Sequence, residues 1–173
     1  MAEFQTRRSC RVALSVPIRI IGIDYRGIDF TEEALTVIVN LHGAKIRMIH
    51  QVMPDSEIRV HCHTTGAEAL FRVVSKLQSP DLKFTYWGIE NMDPGRNIWG
   101  IDIPELRPGD QFKVRVVLEC PKCSARESLA LDEILLVSLQ EKGGLERTCV
   151  VCNNPGLWKL LPFQVAKQVG GVL

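Results

Sequence analysis

From Val12 to Ile20, apolar residues hold the even positions (Val12, Leu14, Val16, Ile18 and Ile20), while Ala13, Ser15, Pro17 and Arg19 take the odd ones. That alternation is the period of a strand with one buried face. The run Ala34 to Leu41 is rich in β-branched residues, and beyond Gly43 another carries Ala44, Ile46 and Met48, so the two read as neighbouring strands across a turn. After Met53-Pro54-Asp55-Ser56, residues Ile58, Val60 and Cys62 face one way and Glu57, Arg59, His61 and His63 the other, which makes Cys62 a core thiol. Thr64-Thr65-Gly66 leads into a fifth strand over 67–76, and Ser79-Pro80-Asp81 into a sixth over 83–90. Six short strands in close succession predict a mainly β fold, a barrel or a sandwich.

Pro104 and Arg107-Pro108-Gly109-Asp110 mark a boundary, dividing the chain into a β domain over 1–106 and a smaller module over 107–173. The module has one apolar segment, Leu129 to Leu139, then the breaker Gly143-Gly144 and an apolar ending at Val172-Leu173. So small a core needs a staple. Leu131, Ile134, Leu135 and Leu139 match helical spacing, and Gly143 could follow a C-cap, which favours a helix; β-branched neighbours also permit strands.

Charge narrows the possible partners. Lys and Arg number 21 against 20 Asp and Glu, a net charge of +1, so nucleic acid or anionic lipid would have to be held by a local patch. The first eleven residues lack the apolar core of a secretory signal, and runs such as Ile134 to Val137 are too short to cross a bilayer. The expectation is a cytoplasmic protein with no membrane partner. In that reducing compartment the six cysteines are better read as metal ligands or buried thiols than as disulfides.

Four of those cysteines form Cys120-Pro-Lys-Cys123 and Cys149-Val-Val-Cys152. Each pair can put two thiolates on one side of a tight turn, and two such turns make the tetrahedral sulfur cage that zinc prefers. Disulfides, unbound thiols and an iron–sulfur site are the alternatives. Four sulfurs leave no open position for water or substrate, so the expected zinc is structural, supplying folding free energy the core lacks. Asn153-Asn154 suits the turn after a second cysteine better than Ser124 does. Trp158 and Leu160 read as a lid on this module, with base stacking as the functional alternative for Trp158.

The remaining candidates are weaker. His61 and His63 can share one strand face, but a metal site needs a third ligand and only Glu57 or a distant side chain could supply it; they read as exposed strand histidines. Cys10 stands beside arginines that could lower its thiol pKa and make it reactive. A Gly-rich phosphate loop, a nucleophile elbow and a His-Glu-x-x-His run are all missing from the sequence, so no enzymatic activity is expected.

Arg7-Arg8-Ser9-Cys10-Arg11 is the one dense basic cluster, either a solvated terminus or an anion-capturing arm. Arg7-x-x-x-Arg11 running into a strand, then Thr36-Val-Ile-Val-Asn-Leu-His-Gly43-Ala-Lys-Ile46, Phe71-Arg-Val-Val74, Gly88-Ile-Glu90 and Asn97-Ile-Trp-Gly-Ile101, together resemble a PilZ domain over residues 4–104. That resemblance implies a six-stranded β-barrel and a receptor for cyclic di-GMP, which the family grips with an Arg-x-x-x-Arg arm and an Asp/Asn-x-Ser-x-x-Gly turn. Carried over, Arg7 and Arg11 take the arginine positions with Arg8 beside them, Gly43 the glycine and Asn40 the serine. Ile38 stands where Asp or Asn belongs. A contact of roughly 1–3 kcal/mol is thereby missing, about tenfold to a hundredfold in affinity. The resemblance implies a signalling protein and candidate cyclic di-GMP receptor, with an arm that closes on ligand and a zinc module that reads the movement. A ligand-independent scaffold for an unidentified protein partner is the second reading. A nucleic-acid-binding zinc ribbon is the third, disfavoured by nine Lys and Arg against seven Asp and Glu over 107–173.

Overall fold

The computed structural model describes residues 7–79 and 82–162, and they form two compact units. One runs from Leu14 to Glu105. The other joins the described residues up to Ala13 with those from Leu106 onward. The sequence reading divides the chain into 1–106 and 107–173, with the N-terminal arm in the β domain; here the described residues up to Ala13 cluster with those from Leu106.

The reason lies in the strand pairing. The alternating run from Val12 divides into a short strand β1 (Val12–Ala13) and a second strand β2 (Pro17–Ile23). Val12 pairs in parallel with Arg115 of the C-terminal unit. Between the strands, Thr36 holds the chain to the barrel: its hydroxyl donates to the Leu14 carbonyl (2.6 Å) and accepts from the Val16 N–H (2.8 Å). Thr36 is buried, and these bonds satisfy a hydroxyl that would otherwise be costly there.

The barrel continues through β3 (Asp29–Asn40), β4 (Gly43–Met48), β5 (Glu57–Cys62), β6 (Glu68–Leu77) and β7 (Thr85–Asn91). Antiparallel pairings run β2–β3, β3–β4, β4–β7, β7–β6, β6–β5 and back from β5 to β2, so six strands close on themselves. Closure removes the open edges that would invite pairing with other chains. Ile18, Ile20, Ile46, Met48, Ile58, Val60, Cys62, Phe71 and Val73 fill the interior, as the period-two pattern requires. Trp99, beyond β7, tilts against Phe71 at 5.8 Å between ring centres.

The C-terminal unit contains β8 (Val114–Glu119), β9 (Arg126–Leu131), helix α1 (Glu133–Lys142), β10 (Leu145–Thr148) and β11 (Pro155–Leu161). β8 and β9 form one hairpin, β10 and β11 another, and β11 pairs with β8. The region between the cysteine pairs is thus strand, helix and strand. Asp132 caps α1 by accepting the Leu135 N–H at 2.8 Å, and Gly143 ends it in the left-handed conformation at φ 72. The buried face differs from the predicted one: Leu136 and Leu139 pack inward, while Ile134 and Leu135 are exposed. The core of this unit is small, chiefly Val12, Val114, Val116, Leu118, Leu136, Leu139 and Trp158. Among the described residues no helix is long and apolar enough to cross a membrane.

Candidate metal centre and the arginine arm

Cys120 and Cys123 lie in the turn of the β8–β9 hairpin, Cys149 and Cys152 in that of β10–β11, and the two turns are built alike. In the first, the Cys120 N–H donates to the Ala125 carbonyl (2.9 Å), the Ser124 N–H returns to the Cys120 carbonyl (3.0 Å), and the Lys122 N–H donates to the Cys120 sulfur (3.4 Å). In the second, Cys149 N–H donates to Asn154 carbonyl (3.0 Å), Asn153 N–H to Cys149 carbonyl (2.9 Å), and Val151 N–H to Cys149 sulfur (3.4 Å). The residue after each second cysteine is left-handed, Ser124 at φ 58 and Asn153 at φ 54. Asn153 suits that conformation, as its sequence suggests, and Ser124 adopts it too because the knuckle geometry demands it.

Pairing of β11 with β8 sets the knuckles face to face. All four sulfurs lie within 4.8 Å of one another, with Cys120 to Cys152 at 3.9 Å and Cys123 to Cys149 at 3.7 Å. A tetrahedral thiolate site with metal–sulfur bonds near 2.3 Å requires sulfurs about 3.8 Å apart. The separations are far too long for disulfides, and all four thiols are free. Cys120 and Cys149 are buried, whereas Cys123 faces solvent. Held this close, the thiols diverge. The Asn154 backbone N–H, then its side-chain amide, draws Cys152 down to about 6. Cys123 is pushed up to about 12: the Ala125 N–H pulls it down, but partial desolvation beside the other knuckle and the neighbouring sulfurs of Cys149, Cys152 and Cys120 outweigh that bond. A divalent ion would let all four ionise together. These four cysteines can hold a metal ion.

Around the knuckles, Arg147 pairs with Glu127 at 2.9 Å, tying the hairpins, and lies over Trp158 at 4.7 Å from the ring centre. Trp158 is buried with 1% of its surface exposed, so it is a core residue and offers no face for stacking a base.

The arginine arm has other partners than a ligand. The Arg7 guanidinium donates to the Gln111 carbonyl at 2.6 Å, and its backbone N–H donates to the Gln111 side chain at 3.0 Å. Arg11 forms an ion pair with Glu133 at the start of α1, and its carbonyl accepts the Arg115 N–H at 2.8 Å. Arg8 is exposed. Cys10 is buried, and that burial pushes its thiol up in spite of the nearby Arg115, the reverse of the lowered value a reactive cysteine needs.

The residues carried over from the second motif sit in the β3–β4 hairpin. Ile38 is 2% exposed and belongs to the barrel core. Asn40 turns its side-chain oxygen to the His42 N–H (2.7 Å), and its carbonyl accepts the Trp99 indole N–H (3.2 Å). Gly43 pairs with Glu90 of β7, and a Cβ there would overlap the Ile89 carbonyl oxygen. Close backbone approach within the barrel is therefore sufficient reason for a glycine. Asn40 and Gly43 belong to one unit, Arg7 and Arg11 to the other.

One residue escaped the sequence reading. Glu33, on β3, accepts from Arg19 at 2.7 Å through one oxygen and meets His63 at 2.5 Å through the other. Thirty residues separate Glu33 from His63, and only the pairing of β2 with both β3 and β5 brings them together. No family model, curated protein or solved structure matches this chain.

Proposed function

We propose that this chain is a non-catalytic, PilZ-like scaffold of the cytoplasm, in which a structural zinc ion on Cys120, Cys123, Cys149 and Cys152 organises the C-terminal unit. Its work is to present two surfaces to a protein partner. The observation that carries the preference for scaffold over receptor is the engagement of both motif arginines within their own unit, Arg11 by Glu133 and Arg7 by Gln111. Ile38, buried in the barrel core, offers no polar group to a nucleotide, and Asn40 spends its side-chain oxygen on the His42 N–H, which supports the same reading. Zinc is favoured over iron–sulfur chemistry by sulfurs spaced for a single ion within two matched knuckles. Free thiols throughout the chain suit a reducing compartment. A nucleic-acid role is disfavoured by the burial of Trp158 and the even charge of the module.

Calorimetric titration of the zinc-loaded chain with cyclic di-GMP tests the choice. The scaffold reading expects no heat at high micromolar nucleotide. Saturable heat that disappears in Arg7→Ala and Arg11→Ala would establish the receptor instead.

A further inference from the structure

The barrel wall carries unlike charge on its two sides. Over 17–33 and 55–62, which hold β2, β5 and the start of β3, six carboxylates stand against three arginines. Over 43–48 and 68–91, which hold β4, β6 and β7, five Lys and Arg stand against three carboxylates. On this second side the buried Ala44, Ile46 and Met48 turn Lys45 and Arg47 outward. Strand register sets Leu35, Arg47, Tyr86 and Leu77 in one outer row and Lys45, Gly88 and Ser75 in the next. We propose that this face, centred on Arg47, docks an acidic segment of a protein partner, whose carboxylates meet Lys45, Arg47 and Lys83 while an apolar side chain lies over Gly88. The inference rests on the scaffold reading for the occupant being a protein.

The cations here are gathered on aromatic rings. The Arg47 guanidinium lies 4.7 Å and the Lys83 ammonium 5.4 Å from the centre of the Phe84 ring, and Lys45 lies 5.5 Å from that of Tyr86. Two like charges sharing one ring repel each other, and among the described residues Arg47 forms no ion pair, so an arriving carboxylate relieves the face. Gly88 supplies the apolar half of the argument. A glycine weakens a strand interior, yet the barrel does not require one here: a Cβ would meet Ser75 and Leu77 at 3.7–3.8 Å, ordinary contact. Its missing side chain leaves a dip between Lys45 and Ser75, with Val74 at 51% exposure beside Ser75 and the fully exposed Leu82 beside Lys83. Cations interleaved with aromatics also suit single-stranded nucleic acid, but Tyr86 is 6% exposed and Phe84 is covered by two cations, so neither ring offers a face to a base. The acidic side of the barrel opposes a long polyanion, whereas a short acidic segment need not reach it.

Titration of the full chain into a fluorescein-labelled peptide of four Glu-Leu-Asp repeats, read by anisotropy and by backbone-amide NMR, tests the proposal. Saturable micromolar binding is expected, with shifted signals confined to β4, β7 and β6 and an affinity that falls severalfold between about 0.05 and 0.3 M salt. Arg47→Glu should weaken it about tenfold while the Trp99 indole signal stays in place. Gly88→Val fills the dip, so it should lower the affinity and at the same time raise the urea midpoint. No anisotropy change up to about 1 mM chain, equal affinity in Arg47→Glu and Gly88→Val, or tighter binding of an oligothymidylate of matching length would overturn it. Failure here strikes this face alone, because the scaffold reading is decided by the cyclic di-GMP titration.

Discussion

Gly43 separates a glycine required by a ligand from one required by the barrel. Its added Cβ would overlap the Ile89 carbonyl oxygen and lie 3.1 Å from the Ile89 carbonyl carbon and 3.2 Å from the Glu90 Cα. All three are backbone atoms, so no rotamer change relieves the clash. Gly43→Ala must instead push β4 away from β7 and loosen the ladder that closes the barrel. Overpacking costs about 1–3 kcal/mol, and backbone crowding places this case near 3 kcal/mol; the conformational gain from replacing glycine, about 0.5–1 kcal/mol, offsets only part of it. With a urea slope of about 2 kcal/mol per molar, a net loss of about 2 kcal/mol lowers the unfolding midpoint by about 1 M. Fluorescence of Trp87 and Trp99, both buried in the barrel, reports the transition. A midpoint within about 0.2 M of wild type would refute the packing argument.

Two further outcomes follow from the same geometry. A strong chelator applied to the metal-loaded chain should melt the C-terminal unit and spare the barrel, because a structural zinc contributes about 10–16 kcal/mol whereas so small a core rarely supplies more than about 3–5 kcal/mol. The Trp158 indole NMR signal should then collapse while those of Trp87 and Trp99 persist; three unchanged signals would contradict it. Asp24 caps the β2–β3 turn, accepting the Ile28 N–H at 3.0 Å and the Arg26 N–H at 2.8 Å, and these bonds, with the Arg26 guanidinium, hold its carboxyl below the usual range. A lowered folded value stabilises above the unfolded pKa of about 3.9 and is lost as pH falls through the folded one. Asp24→Asn should therefore lower the urea midpoint at pH 7 and converge with wild type as pH falls through the folded value of Asp24; curves that stay parallel would refute this role.

The features legible in the sequence were local. Alternation over Ile18 to Ile20 and over Ile58 to Cys62 marked the strands because period two is written in consecutive residues, and the paired Cys-x-x-Cys motifs marked the knuckles because each holds its ligands within four residues. What escaped depends on distant partners. Val12 continues the alternation of Ile18, yet pairs with Arg115, so an unbroken pattern concealed a change of unit. Arg7 and Arg11 are held by Gln111 and Glu133, more than a hundred residues away, and nothing in the arm announces them. In α1 the spacing of Ile134, Leu135 and Leu139 was helical, but Leu136 takes the buried place, since the neighbours decide which side of a largely apolar turn faces inward. Glu33 likewise gained meaning only when strand register set it beside His63.

X-ray absorption at the zinc edge of the purified chain, combined with its metal content, bears most directly on the four-cysteine centre. One zinc per chain, surrounded by four sulfurs near 2.3 Å, is the predicted result. Metal-free protein that keeps the C-terminal unit folded, or a zinc shell dominated by nitrogen and oxygen, would contradict it.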